Sequence, residues 1–296
     1  MIGRVALRVA GIPVTMLVVW AALAAITPIA MQQYAQYAPR AGISCVTRVA
    51  TVAGVPTIVN VGCGLADAYH LTFSELVVDA MFRSLALLLG AGVLALVLGT
   101  LLGVAIALQR HRAVAGGAVM GATSLLAAVP SFFVAYFLQI AVIVVGAGRS
   151  GGQLLPVFGF GYDAHVVLPL VAISVPAVMY TAQLTATRLQ DVLDADFVTT
   201  ANAKGLPTRW IMGVHVLPHA RPVLFEAVGS GLRVSVASLP IVEFLFNWRG
   251  IGQLAIEAVA VHDAAVFVFT AVVLVALFAT LSAVADLSRP RALYRA

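Results

Sequence analysis

The chain has 296 residues, 62% of them hydrophobic and only 10% charged, with a mean hydropathy of +1.04 and a formal net charge of +5. Soluble domains carry about 25% charged residues, so these values exclude both an ordinary soluble domain and a disordered chain. The basic residues sit between apolar stretches, where they read as topology signals and not as a nucleic-acid surface.

Six apolar stretches run near 9–30, 84–108, 117–145, 165–187, 222–246 and 264–287. Each is long enough to cross hydrocarbon as a helix, which needs roughly 20 residues and closes its own backbone groups. This predicts an all-α polytopic membrane protein with six transmembrane helices. It has an N-terminal transmembrane helix over 1–30, an external segment over 31–83, and a bundle over 84–296 whose longest inside loop spans 188–221. The first stretch follows Arg4 and Arg8, exceeds a signal-peptide core and lacks a small-x-small cleavage site, so it reads as a retained anchor.

With a cytoplasmic N-terminus, the inside segments hold Arg4, Arg8, Arg110, Arg112, Arg188, Lys204, Arg209, Arg221, Arg289, Arg291 and Arg295. The outside segments hold Arg40, Arg48, Arg83, Arg149 and Arg249. Eleven against five places both termini in the cytoplasm.

Cys45 and Cys63 share the external segment. In an oxidising compartment a disulfide between them would stabilise the loop by about 3 kcal/mol in the chain-entropy model; the alternative is two free thiols. No metal site is expected, because no third or fourth ligand lies near them.

Within the spans, Gly99-Thr-Leu-Leu-Gly103 and Gly117-Ala-Val-Met-Gly121 have the small-xxx-small spacing that lets helices approach closely. Pro130, Pro169, Pro176 and Pro240 interrupt helices, since proline removes a backbone donor. Ionisable groups at membrane depth are expensive and point to function by default. Glu226 and Arg233, seven residues apart on one helix face, are therefore candidates to line a path or to pair structurally; Glu243, near the external end, reads as structural.

The loop between the fourth and fifth spans is the most informative segment. Helical character flanks Gly205, with Asp194 or Asp196 as the expected N-cap, Gly205 as the stop and Pro207 at the next start. The second piece carries Trp210, Ile211 and Val214 beside Arg209, an apolar face that suits docking into a groove on another protein. His215 and His219 have metal-ligand spacing, but Pro218 is expected to break that helix and no Glu follows His215, so they read as structural.

Thr200-Ala-Asn-Ala-Lys-Gly205, followed nine residues later by His215-Val-Leu-Pro-His-Ala220, resembles the EAA signature of bacterial ABC importer permeases. His215-Val-Leu and the lead-in Asp196-Phe-Val-Thr-Thr-Ala201 are similar to the dipeptide/oligopeptide/nickel branch. Val129-Pro-Ser-Phe-Phe133, Leu155-Pro-Val-Phe-Gly159 and Leu168-Pro-Leu170 resemble its further motifs. Glu243-Phe-Leu-Phe-Asn-Trp-Arg-Gly-Ile-Gly252 is similar to its Glu-x-x-Phe-x-x-Pro-Gly-x-Gly, with Arg249 in place of Pro; Asn202 stands where Arg is common. The resemblance covers residues 72–290, and the N-terminus resembles the B-type member of a permease pair.

The resemblance implies a non-catalytic subunit for peptide import that pairs with a homologous C-type permease. It also implies two ATPase subunits or one fused ATPase, which bind ATP and Mg, and an extracytoplasmic substrate-binding protein. Asp196, Ala201, Ala203, Lys204, Gly205, Arg209, Trp210 and His215 are implied to couple to the ATPase, and Pro130, Ser131, Phe132, Arg233 and Glu226 to lie on the translocation path. The chain itself offers no phosphate-binding loop, because its sole lysine, Lys204, is followed by Gly205 and not by Ser or Thr. Permeases for nickel chelates or oligosaccharides share the branch. A stand-alone secondary transporter is the alternative of a different class; it would lack a docking helix and often shows inverted repeats.

Overall fold

The computed structural model describes residues 73–109, 113–147, 155–207, 210–261 and 263–288, the strands within 46–61, and isolated positions between 17 and 65. Helices dominate, because a chain in hydrocarbon must close its N–H and C=O groups on itself. In chain order they are α1 (Phe73–Leu94), which continues through a wide π-type turn (Ala95–Gly99) into α2 (Thr100–Leu108), then α3 (Ala113–Ala128) and α4 (Ser131–Ala147). There follow α5 (Val167–Leu193), α6 (Asp196–Ala203), a second π-type stretch (Ile211–Val216) leading into α7 (Leu217–Phe246), α8 (Ile251–Ala260) and α9 (Ala264–Ser288).

Four runs among the described residues are long and apolar enough to cross a membrane: Glu75–Leu108, Ala164–Leu193, Leu224–Phe246 and Val266–Ala285. The bent pair α3–α4 raises the number to five at most. Large apolar side chains such as Leu89 and Phe137 lie on the outside, 69% and 64% exposed, as a lipid-facing surface requires. The stretch expected to span at 9–30 lies outside the described residues, apart from isolated positions.

Several expectations need correction. The third apolar stretch is not one straight helix: Gly117–Ala128 and Ser131–Ala147 meet at 94°. Pro130 has no N–H to continue α3, and its carbonyl instead accepts the N–H of Phe133 at 3.0 Å to start α4. The second apolar stretch, expected from 84, begins its helix at Phe73, inside the segment read as external. At 1.5 Å per residue the 34 residues from Glu75 to Leu108 measure roughly 50 Å, well over the ~30 Å hydrocarbon core.

Nor are the described residues all helical. Strands β1 (Val46–Val52) and β2 (Val55–Val61) pair antiparallel, with Val46 opposite Val61 and Val52 opposite Val55. Their valine- and threonine-rich runs favour the pleated backbone. Pro218 does not break a helix either. It is the second residue of α7, directly after the π-type stretch, and the helical run continues through it.

Helices α5 and α7 form the centre. Gly231 lies against the Ala177 carbonyl, where a Cβ would approach to 2.8 Å, and Ser235 donates to the Ile173 carbonyl at 2.9 Å. Gly99 and Gly103 abut Thr181 and Thr185 so closely that a Cβ would come within 3 Å of α5. Gly117 and Gly121, with the same spacing, meet no neighbour within 4 Å among the described residues.

Candidate functional site: the inter-helical loop and the opposite end of α7

The loop after α5 divides its side chains sharply. Val198, Ala201 and Ile211 are buried and, with half-buried Leu206, pack on Leu189, Leu193 and Ala107. Asp196, Ala203, Lys204 and Gly205 are exposed, and so are Phe197, Trp210 and Val214, at 41%, 55% and 48%. Ala201, one of the expected coupling residues, is thus a root of the loop and not part of its outer surface.

Local chemistry explains the shape. Ala195, and neither aspartate, is the N-cap of α6. Asp194 ends α5, and Asp196 occupies the first turn of α6, where a carboxylate complements the positive helix end. At the other end Gly205 adopts φ +73 and its N–H reaches the Asn202 carbonyl at 2.9 Å, while Leu206 N–H reaches the Ala201 carbonyl at 3.3 Å. This is a Schellman stop, and its usual apolar contact is the Leu206–Ala201 packing. The Pro207 carbonyl then accepts from Trp210 N–H at 2.8 Å and starts the next helical run, as expected. Arg209 lies outside the described residues, and of His215 only the backbone, within the π-type stretch, is described.

The expected path residues only partly converge. Ser131, at the start of α4, is buried and accepts from Ser238 of α7 at 2.9 Å. Pro130 is exposed at the bend, and Phe132 stacks on Phe133 with ring centroids 4.5 Å apart. On α7, Arg233 Nη2 donates to Ser230 Oγ at 2.7 Å, and Glu226 is buried. Cys45 and Cys63 lie outside the described residues.

The far end of α7 is a closed polar knot. Glu243, fully buried, accepts from Ser84 Oγ at 2.5 Å and from the N–H groups of Gly252 at 2.8 Å and Gln253 at 3.1 Å. Ser84 Oγ in turn accepts from Ile251 N–H at 2.7 Å. Together the two side chains satisfy the orphan donors at the start of α8. A side chain at Gly250 would overlap the Glu243 carboxylate, and one at Gly252 would strike the Pro240 backbone, so the Gly-x-Gly pair makes room for protein groups and not for a ligand.

Trp248 is fully buried; its Nε1 donates to the Arg83 carbonyl at 3.1 Å, and its ring meets Phe160 edge-on at 4.9 Å. Gln139 Nε2, donating to the Leu245 carbonyl at 2.9 Å, and Gly159 N–H, donating to the Phe246 carbonyl at 2.8 Å, tie the 155–162 loop to the same place. Beyond that loop, His165 bonded to Asp163 holds the Asp163 carboxyl below its ordinary 3.8. The roles of Ser84 and Arg83 escaped the sequence reading, because their partners lie about 160 residues away and no local pattern marks them.

A family model described as "Binding-protein-dependent transport system inner membrane component" matches residues 99–294. A Brucella ovis protein whose name includes "peptide permease protein" is 27% identical over 212 residues, 69% of this chain and 65% of the relative. The Salmonella typhimurium oligopeptide transport system permease protein OppB is 29% identical, over 65% of this chain and 61% of that protein. The Staphylococcus aureus metal-staphylopine import system permease protein CntB is 25% identical, over 72% and 66%. The chain thus spans just under two thirds of the length of the first of these relatives. A structure of the MetNI methionine ABC transporter in an inward-facing conformation superposes with a TM-score of 0.59 at 20% identity, covering 72% of this chain and 94% of that one, which shows a common fold. The chain therefore belongs to the inner membrane components of binding-protein-dependent transport systems, the permease family of ABC importers.

Proposed function

We propose that this chain is the B-type permease of an ATP-driven importer for peptides, and that the 196–216 loop is its attachment to the motor. The observation that carries the reading is the split in that loop. Val198, Ala201, Leu206 and Ile211 root it in the bundle, while Phe197, Trp210 and Val214 present apolar surface to the outside. A loop that is rigid beneath and sticky above transmits force; one that is mobile throughout would not.

The partners are a C-type permease, two ATPase subunits or one fused ATPase that hold ATP and Mg, and an extracytoplasmic binding protein. Six spans with both termini inside complete the topology. The bend at Pro130, with Ser131, Phe132, Arg233 and Glu226, contributes half of the translocation path. Peptides are favoured because relatives are named for peptide and oligopeptide transport. The relative named for metal–staphylopine import supports metal chelates as the second reading.

The test is ATP-dependent uptake in vesicles, together with co-purification of the ATPase. Trp210→Ala is expected to abolish ATPase capture and uptake while membrane insertion stays normal. Uptake that persists without any ATPase would instead favour a transporter working alone.

A further inference from the structure

Strands β1 and β2 lie outside the part of the chain that matches the permease family, which begins at residue 99. Among the described residues their sheet has no third strand. A two-stranded hairpin in water is marginally stable unless something beyond its own ladder holds it.

The sequence around the hairpin offers such a hold. Cys45 stands directly before the first residue of β1 and Cys63 two residues after the last of β2, and the chain has no other cysteine. Fully extended, the intervening chain could keep them ~60 Å apart. The strand register removes that separation. Val46 pairs with Val61 at the open end, and the pairing runs without a bulge to Val52 opposite Val55 at the two-residue connection. Antiparallel partners have Cα atoms about 4.5–5.5 Å apart, and a disulfide spans about 4.4–6.8 Å. One and two residues beyond such a pair, at about 3.8 Å per step, the chain is long enough for the two thiols to meet without disturbing the ladder.

Just past Cys63 the chain is fixed to the bundle. Leu65 is buried in the same apolar cluster as Leu76 and Leu254, and its N–H donates to Asp263 Oδ2 at 3.2 Å. The other oxygen of that carboxylate accepts from Val266 N–H at 3.1 Å in the first turn of α9. A bond at Cys63 therefore ties the start of β1 to an anchored point and not to a free end.

We propose that Cys45 and Cys63 form an intramolecular disulfide that closes the open end of the hairpin and makes residues 45–63 a stapled module mounted on the bundle through Leu65. The step is thiol–disulfide exchange with a disulfide-bearing oxidant of the extracytoplasmic compartment. One cysteine thiolate attacks the oxidant's disulfide and expels one of its sulfurs; the other cysteine thiolate then attacks the mixed disulfide and expels the second. The two thiols lose two protons and two electrons, and the oxidant leaves as a dithiol. The proposal takes from the importer reading only that this segment is extracytoplasmic, where disulfides persist.

The experiment is alkylation of the full-length chain in isolated membranes, with and without reductant, followed by non-reducing electrophoresis and peptide mass spectrometry. Arg48 lies between the cysteines, so trypsin separates them and the bond survives as a linked pair of peptides 41–48 and 49–83. That linked pair is expected, with a monomeric band and two thiols alkylated only after reduction. Reduction, or Cys45→Ser, should quicken hydrogen exchange across 46–61 about a hundredfold, the factor that closing a loop of this size supplies in the chain-entropy model. Two thiols alkylated without reductant overturn the proposal, as do a reductant-sensitive dimer or exchange that reduction leaves unchanged. A membrane-impermeant maleimide on spheroplasts carrying Cys45→Ser reports the side on which Cys63 lies, and labelling is expected. Labelling only after the membrane is opened overturns both the disulfide and the topology. Labelling from outside together with free thiols in the unaltered chain overturns the disulfide alone and leaves the importer reading standing.

Discussion

Two tryptophans bracket α7 and meet opposite surroundings. Trp248, past its C-terminal end, is fully buried, with its indole N–H bonded to the Arg83 carbonyl and its ring against Phe160. Trp210, ahead of its N-terminal end, leaves 55% of its surface open. Around Trp248 the chain satisfies itself: a buried carboxylate and a serine hydroxyl cap α8, and glycines 250 and 252 clear the space for it. Around Trp210 only the underside is packed, and the apolar side chains above it stay exposed. An end buried within the chain specifies structure, whereas one left half-exposed specifies an interaction, because apolar area left in water gains free energy only when a partner covers it.

Substitutions at the two ends should separate these roles. Trp248→Ala carries the largest cost, since emptying a fully buried aromatic site loses about 3–5 kcal/mol. Thermal unfolding in detergent should register it, and a loss under ~1 kcal/mol would mean the knot is not a core. Gly250→Ala comes next, at about 1–3 kcal/mol, because the new methyl overlaps the Glu243 carboxylate, which can move aside only by giving up its bonds to Ser84, Gly252 and Gln253.

Gly205→Ala meets no neighbour among the described residues, so its cost of about 1 kcal/mol comes from the left-handed backbone. The contrast between these two glycines, read from paired melting curves, tests whether space or conformation is the constraint at each. Trp210→Ala should shift stability by no more than about 0.5 kcal/mol, as at an ordinary surface site, and still abolish ATPase capture. A large destabilisation there would erase the distinction between the ends.

The smallest effect is acidic. Because His165 bonding lowers the folded-state value of Asp163, its contribution to the loop is complete above the unfolded value of 3.8 and is lost as pH falls through the lowered one. Hydrogen exchange across residues 155–166 should quicken in that window, and Asp163→Asn should flatten the dependence.

Much of this could be read from local pattern. Runs of apolar residues announced helices, since hydrocarbon leaves the backbone no other open-ended form. Gly205 and Pro207 marked a helix stop and start that depend only on the φ each residue permits. What local pattern could not show is which residues face each other. Gly99 and Gly103 meet α5, while the identically spaced Gly117 and Gly121 meet none of the described residues, and no property of the spacing tells them apart. Ala201 looked like a contact for another protein until its burial on Leu189 and Leu193 made it a root.

The amino-acid sequence alone determined that this chain lives in a membrane, which stretches of it are helical, and that one loop carries an unburied apolar face. Those follow from hydration and backbone conformation, which act residue by residue. The tertiary structure alone decided that Pro130 turns the chain through 94° and that Glu243 and Ser84 close on the start of α8. Such outcomes depend on the packing of helices distant in sequence, and packing is a property of shapes in contact that no single stretch of chain encodes.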